Sequence, residues 1–331
     1  MQNHSGFGPS VGGSLAPANY WMAAHLGFHV PFFFAAAFLF YPEAAGLVGW
    51  VKRVKRVIVP FLFWALMYTS LRLLKIRFLH SPAWTPLDDP IGWAYSGASV
   101  HLYFVPMLIT GMAVTWLLDW TRLIHSAWIA GVAGSVALVL FHWLASSGNS
   151  FELGTSSGFV SAWGNDQFWL LRCLGLLLAW AIRVLPYILF AACLRRSGVM
   201  NLSQTRHFGV LLVFLVTFLC EWLGCYLPPA PHEVFLGITF LLMGIAVSAW
   251  IPAVGWIQDI GRWTFGIYLS HQVFMQIAQQ IGLRAGLISP SNQSLWSALA
   301  LTVLAFAASV AFIAGVDHWA PNWTRRICGL K

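Results

Sequence analysis

Nine apolar stretches, each long enough to cross a bilayer, occupy most of this 331-residue chain, at approximately 19–41, 57–74, 100–118, 125–145, 169–194, 208–227, 233–251, 264–282 and 295–317. A spanning helix needs about 20 mainly apolar residues. Inside the hydrocarbon every backbone N–H and C=O must be bonded within the segment or within a closed barrel. The pattern therefore predicts an all-α, polytopic integral membrane bundle of about nine spans. The longest polar stretches, about 75–97 and 146–167, are rich in turn formers and too small to fold alone. With no internal repeat or low-complexity tract, residues 1–331 read as a single membrane domain. Charged residues make up only 8% of the chain and hydrophobic ones 59%, against the roughly 25% charge of a soluble domain.

The densest charge lies between the first two stretches, where Lys52, Arg53, Lys55 and Arg56 immediately precede an apolar run beginning at Val57. Four cations at one surface mark that side as cytoplasmic. Alternating sides along the chain then puts Lys52, Arg53, Lys55, Arg56, Arg122, Arg195, Arg196, Arg206, Arg262, Arg325, Arg326 and Lys331 inside. Arg72, Lys75, Arg77 and Arg284 fall outside, and Arg172 and Arg183 within or at the edge of a span. Twelve against four is a clear asymmetry. It predicts a multi-pass protein of the cell inner (plasma) membrane with a cytoplasmic C-terminus, in contact with membrane lipids. The net charge of +8 belongs to this topology and does not call for nucleic acid. Residues 1–18 would then lie outside, with no leading apolar segment, so a first helix is expected upstream of Met1, leaving the domain N-terminally incomplete.

Several chemistries are excluded. The chain has no Walker A motif, no GxSxG elbow, no HExxH and no paired metal-ligand run, so no metal or bound cofactor is expected. Cys173, Cys193, Cys220, Cys225 and Cys328 form no CxxC pair and read as packing residues. Three charges at membrane depth stand out: Arg183, Glu221 and Asp317. Glu221 either binds a sugar hydroxyl or pairs with Arg183. As an intramembrane relay the three would suit a secondary transporter or flippase of a glycan or small anion, although the internal symmetry common in transporters is missing.

A series of short motifs resembles the membrane-bound acyltransferase 3 family, the O-acyltransferases of polysaccharides and other envelope glycans. Asn3-His4-Ser5 is similar to the "HS" that closes the family's first helix, and Val30-Pro31-Phe32-Phe33-Phe34 to its "VPLFF". Arg53-Val54-Lys55-Arg56, followed by Pro60 and Trp64, resembles RxxR leading into PxxxW. His101-Leu102-Tyr103-Phe104 resembles "HLWF", and Gly266-Ile267-Tyr268-Leu269-Ser270-His271 resembles "GIYLxH". The chain departs from the family pattern at Ala35-Ala36-Ala37, where a Ser-Gly pair is usual. The Arg about ten residues before the catalytic His would fall before Met1.

The resemblance implies ten spans and transfer of an acyl group, acetyl in the simplest case, from acyl-CoA as co-substrate to a carbohydrate or glycolipid acceptor. That amounts to polysaccharide modification by O-acetylation. It makes His4 the general base, since imidazole titrates near neutrality. It makes Arg53 and Arg56 the acyl-CoA-binding pair, whose guanidinium forks match phosphate oxygens. Trp64, His101, Tyr103, Glu221 and His271 remain acceptor-binding or structural candidates, with the structural role favoured for His271. An inactive truncated homologue is the remaining alternative.

Overall fold

The computed structural model describes residues 29–41, 46–79, 93, 99–146, 169–198, 209, 211–212, 215, 228–248, 250–251, 254–286 and 295–330. Among them there is no strand. The α-helices in chain order are α1 (His29–Leu39), α2 (Gly46–Leu79), α3 (Phe104–Trp120), α4 (Ala127–Ser146), α5 (Trp169–Arg196), α6 (Pro229–Ser248), α7 (Gly255–Arg284), α8 (Leu295–Trp319) and α9 (Asn322–Ile327). Short 3-10 turns at Val100–Tyr103 and Leu123–His125 precede α3 and α4.

Six segments among the described residues are long and apolar enough to cross a membrane, in α2, α3, α4, α5, α6 and α8. The chain is thus a multi-pass membrane protein. The other three expected spans differ in kind. The first is described only from residue 29, and most of 208–227 lies outside the described residues. The stretch 264–282 is helical inside the 30-residue α7, but Gln272, Gln276, Gln279 and Gln280 lower its apolarity.

The second helix is longer than the pattern predicts. Helix α2 runs 34 residues from Gly46, so the Lys52–Arg56 cluster sits on the helix and not in a loop before it. Lys and Arg are good helix formers, and no proline interrupts the segment before Pro60. At 1.5 Å per residue α2 is about 51 Å long, well beyond a hydrocarbon core of about 30 Å, so its charged first turns have room at the interface.

The chain divides into two compact units: Met1–Gly27, Lys55–Val105 and Ala253–Lys331 form the first, and Phe28–Val54 with Pro106–Pro252 form the second.

In the second unit α4 packs along α5, and α1 packs on α6 and α5. Small residues set the spacing, as is usual where helices meet without a hydrophobic driving force. A Cβ on Gly237 of α6 would lie 2.6 Å from the Pro31 carbonyl oxygen, so α1 and α6 touch through backbone. A Cβ on Gly111 would strike the Phe38 ring. Phe34 stacks on Phe38 and meets Tyr187 of α5 at 5.7 Å. Ala35, where the family pattern has a Ser-Gly pair, is buried.

In the first unit α7 packs along α8. Ile267, Ile313, Cys328 and Leu330 form one buried cluster, and Met275, Leu301 and Ala305 another. Gly266 is required where the chain end folds back, since a Cβ there would lie 2.8 Å from the Cys328 carbonyl oxygen. Burial pushes the Cys328 thiol up from its ordinary range. With little thiolate it is a poor nucleophile and unsuited to carry an acyl thioester. Leu66, Val303 and Leu304 point outward, as side chains facing lipid do.

Candidate active site

Two polar clusters sit inside this apolar framework, one in each unit. The first unit joins the two histidine segments that lie 170 residues apart in sequence. His101 belongs to the 3-10 turn before α3 and is 3% exposed. Tyr268 of α7 donates its hydroxyl hydrogen to the His101 carbonyl oxygen. The His101 and His271 rings then lie 4.9 Å apart, and the Tyr68 ring stands 5.1 Å from His101 at a steep angle. Tyr68 in turn donates to the Leu269 carbonyl oxygen at 2.8 Å. Both tyrosine hydroxyls end on backbone carbonyls, so this aromatic and imidazole cluster is fixed by main chain.

Tautomers follow from the partners. His271 Nδ1 lies 2.5 Å from the Tyr268 carbonyl oxygen, which only accepts, so Nδ1 carries the hydrogen and the lone pair of the neutral ring is on Nε2. His101 Nδ1 meets the Ser99 hydroxyl at 2.9 Å, a partner that can donate or accept. Trp64 sits one turn before Tyr68 on α2, with ring centroids 6.0 Å apart, and is 2% exposed. Its indole N–H is buried without a hydrogen-bond partner, as is the Gln272 Oε1. Orphaned buried polar atoms are uncommon in proteins, because each forfeits the desolvation cost of its group.

The second unit holds a closed ion pair. Arg183 Nε and Nη2 donate to Glu233 Oε1 and Oε2 at 3.0 and 2.9 Å, and the Tyr187 hydroxyl donates to Oε1 at 3.0 Å. Arg183 is 4% exposed, so its charge needs this fork-to-fork partner. Sequence reasoning offered Glu221 as that partner. The carboxylate the structure brings to Arg183 is Glu233, and Glu221 lies outside the described residues. The third relay candidate, Asp317, is in the first unit and accepts from Arg262 at 2.7 Å and from the Trp263 indole at 2.9 Å. Arg183 and Asp317 each have a local counter-charge, so neither needs a relay to account for it.

The cationic pair of the RxxR element divides. Arg53 is half-buried with its guanidinium 4.6 Å from the centre of the Tyr41 ring, a cation–π distance. Arg195 from the end of α5 donates to the carbonyl oxygen of the same Tyr41. Arg56 is exposed one turn on. Sequence reasoning missed Arg195 as a neighbour of Arg53. Nothing in a 142-residue separation announces it. His4 lies outside the described residues. Tyr103 is partly buried beside His101 in the 3-10 turn.

The spans, the paired histidine segments and the cationic helix end all follow the order of the motif series. The family model described as "Acyltransferase domain", of the acyltransferase 3 type, matches residues 3–314. The chain belongs to that family. It is therefore a membrane acyltransferase. The match takes in His4, the RxxR element and both histidine segments. No curated protein and no solved structure compared with the chain gave a match.

Proposed function

We propose that this acyltransferase moves an acyl group, acetyl in the simplest case, from acyl-CoA to a hydroxyl of an envelope sugar or polysaccharide at the inner membrane. The family match over residues 3–314 carries the reading. In this mechanism the acyl-bearing end of the donor reaches through the bundle toward His4, which accepts the proton of the acceptor hydroxyl while the hydroxyl oxygen attacks the thioester carbonyl. The C–S bond breaks, the coenzyme A thiolate leaves, and it takes up that proton to become the thiol. A thioester is already activated, so neither metal nor ATP is needed.

Arg53 and Arg56 hold the phosphates of the donor from the cytoplasmic end of α2. What supports this is their spacing of one helical turn and the prior ordering of Arg53 by Tyr41, which lowers the entropic cost of clamping a ligand. Trp64, His101, Tyr103 and His271 surround the acceptor path, and a cytoplasmic C-terminus follows from the charge distribution.

Membranes holding the full chain, supplied with acetyl-CoA labelled in the acetyl group, should transfer base-labile label to the glycan fraction. His4→Ala should lower that rate by about 100- to 10,000-fold at unchanged protein level. Arg53→Ala or Arg56→Ala should raise the apparent KM for acetyl-CoA, with Lys restoring only part. Wild-type transfer by His4→Ala would remove it as the base. An equal KM effect from Lys52→Ala and Lys55→Ala would remove the arginines as a specific clamp.

A further inference from the structure

Arg195 stands in the last turn of α5, where the helix dipole favours a cation. Its Nη1 nevertheless donates outside its own helix, to the Tyr41 carbonyl oxygen 154 residues earlier. Tyr41 is the second residue past the end of α1, and its own N–H donates to the Phe38 carbonyl at 3.3 Å. The backbone of Tyr41 is thus held from two sides, by the last turn of α1 and by α5. A tyrosine ring hangs from its backbone by two torsions, so a held backbone leaves only those two to settle where its face lies. That face carries Arg53, with 4.6 Å from the guanidinium carbon to the ring centre. One residue therefore joins two arginines: its carbonyl takes Arg195 and its ring takes Arg53. All three lie within the second unit, Tyr41 and Arg53 in Phe28–Val54 and Arg195 in Pro106–Pro252.

The two contacts differ in what they use. The bond to the carbonyl takes a guanidinium hydrogen of Arg195. The cation–π contact takes none from Arg53, so it orders that side chain without drawing on its hydrogen-bonding fork. Arg56, one turn further along α2, is exposed. Arg53 is thus the member of the RxxR pair whose position is built by its surroundings. Every residue offers a carbonyl, so Arg195 could brace α5 to the end of α1 with any side chain at position 41. The aromatic ring is what extends that brace to Arg53.

We infer that Tyr41 and Arg195 are positioning residues of the donor site: Arg195 fixes Tyr41, and Tyr41 presents the Arg53 guanidinium to a phosphate of acyl-CoA. The inference rests on the reading of Arg53 as a donor contact. It adds that donor affinity is set from the end of α5, by residues that act through Arg53.

The test is a coupling experiment on the full chain, reading KM for acetyl-CoA and kcat in membranes and the melting temperature in detergent. Tyr41→Leu and Arg195→Ala should each raise KM about three- to tenfold, the range of a cation–π contact. The kcat should stay unchanged, as expected when ground-state binding alone is lost. Tyr41→Phe keeps the ring and should restore the wild-type KM. Arg195→Lys keeps one donor for the carbonyl and should restore part. In an Arg53→Ala background, Tyr41→Leu and Arg195→Ala should add nothing further to KM, because the side chain they position is gone. A further rise in KM from Arg195→Ala in that background would make Arg195 a separate contact and overturn the inference. Lower melting temperatures with wild-type KM in Tyr41→Leu and Arg195→Ala would also overturn it, leaving a plain brace. A wild-type KM in Arg53→Ala would instead remove the donor reading, and this inference with it. If Arg195→Ala does not fold, Leu against Phe at position 41 decides, and equal KM in those two variants would overturn the inference.

Discussion

The two units solve the same problem, polar groups inside an apolar bundle, in opposite ways. The second unit buries a full ion pair and satisfies it: the Arg183 fork meets both Glu233 oxygens, and Tyr187 adds a third bond. The first unit buries imidazoles and phenols that lean on backbone carbonyls, and it leaves the Trp64 N–H and Gln272 Oε1 without partners. The closed pair fixes α5 against α6. The neutral cluster keeps an indole donor and an amide acceptor that are buried without partners. The contrast is between a braced ion pair in the second unit and an incompletely satisfied neutral cluster in the first.

The largest effect should come from breaking the closed pair. Glu233→Ala leaves a buried guanidinium uncompensated and should cost about 3–5 kcal/mol, read as a lower melting temperature in detergent and a lower membrane level. The double change Arg183→Met with Glu233→Leu should recover most of that, because a packed apolar pair replaces a charged one. If the double change is as damaging as the single, the pair does more than brace two helices.

Next, His271→Gln keeps a donor for the Tyr268 carbonyl but removes the ring nitrogen with the lone pair. Transfer should fall about 100-fold while the melting temperature stays near wild type. A parallel loss of stability and activity would move His271 to a purely structural role. Third, Gly237→Ala in one unit and Gly266→Ala in the other each drive a methyl against backbone at 2.6 and 2.8 Å, and each should cost about 1–3 kcal/mol. Smallest, Tyr68→Phe removes one hydrogen bond to Leu269 and should cost about 1 kcal/mol.

Much of the fold was legible because apolar length is a local property. The runs at 100–118, 125–145, 169–194, 233–251 and 295–317 all became helices, with ends moved by a few residues. The start of α2 is not legible, because a charged cluster beside an apolar run marks no helix boundary and Lys and Arg propagate a helix well. The site was less legible, since its geometry is made by pairs far apart in the chain. Tyr268 with His101 and Arg195 with Tyr41 have no signature in spacing. Glu233 was overlooked because it follows Pro228, Pro229 and Pro231 at the very start of an apolar run, where an acid reads as interfacial. Its signal was scarcity: in a chain with ten carboxylates, one beside a span is a natural partner for a buried arginine.

The hydrogen bonds from Tyr68 to Leu269 and from Lys75 to Gln276, which join α2 to α7, also set the order in which the molecule can be made. Tyr68 and Lys75 leave the ribosome 201 residues before Leu269 and Gln276. At 5–20 residues per second that is a wait of about 10–40 s, during which the whole of Pro106–Pro252 is synthesised. Helix α2 must therefore stand in the membrane with its Tyr68 phenol and Lys75 ammonium not yet matched to α7, held by lipid or by the insertion machinery. The first unit closes last, when Cys328 and Leu330 pack beneath Gly266. A nascent chain stopped a few residues short would have nearly all its spans and an unfinished first unit.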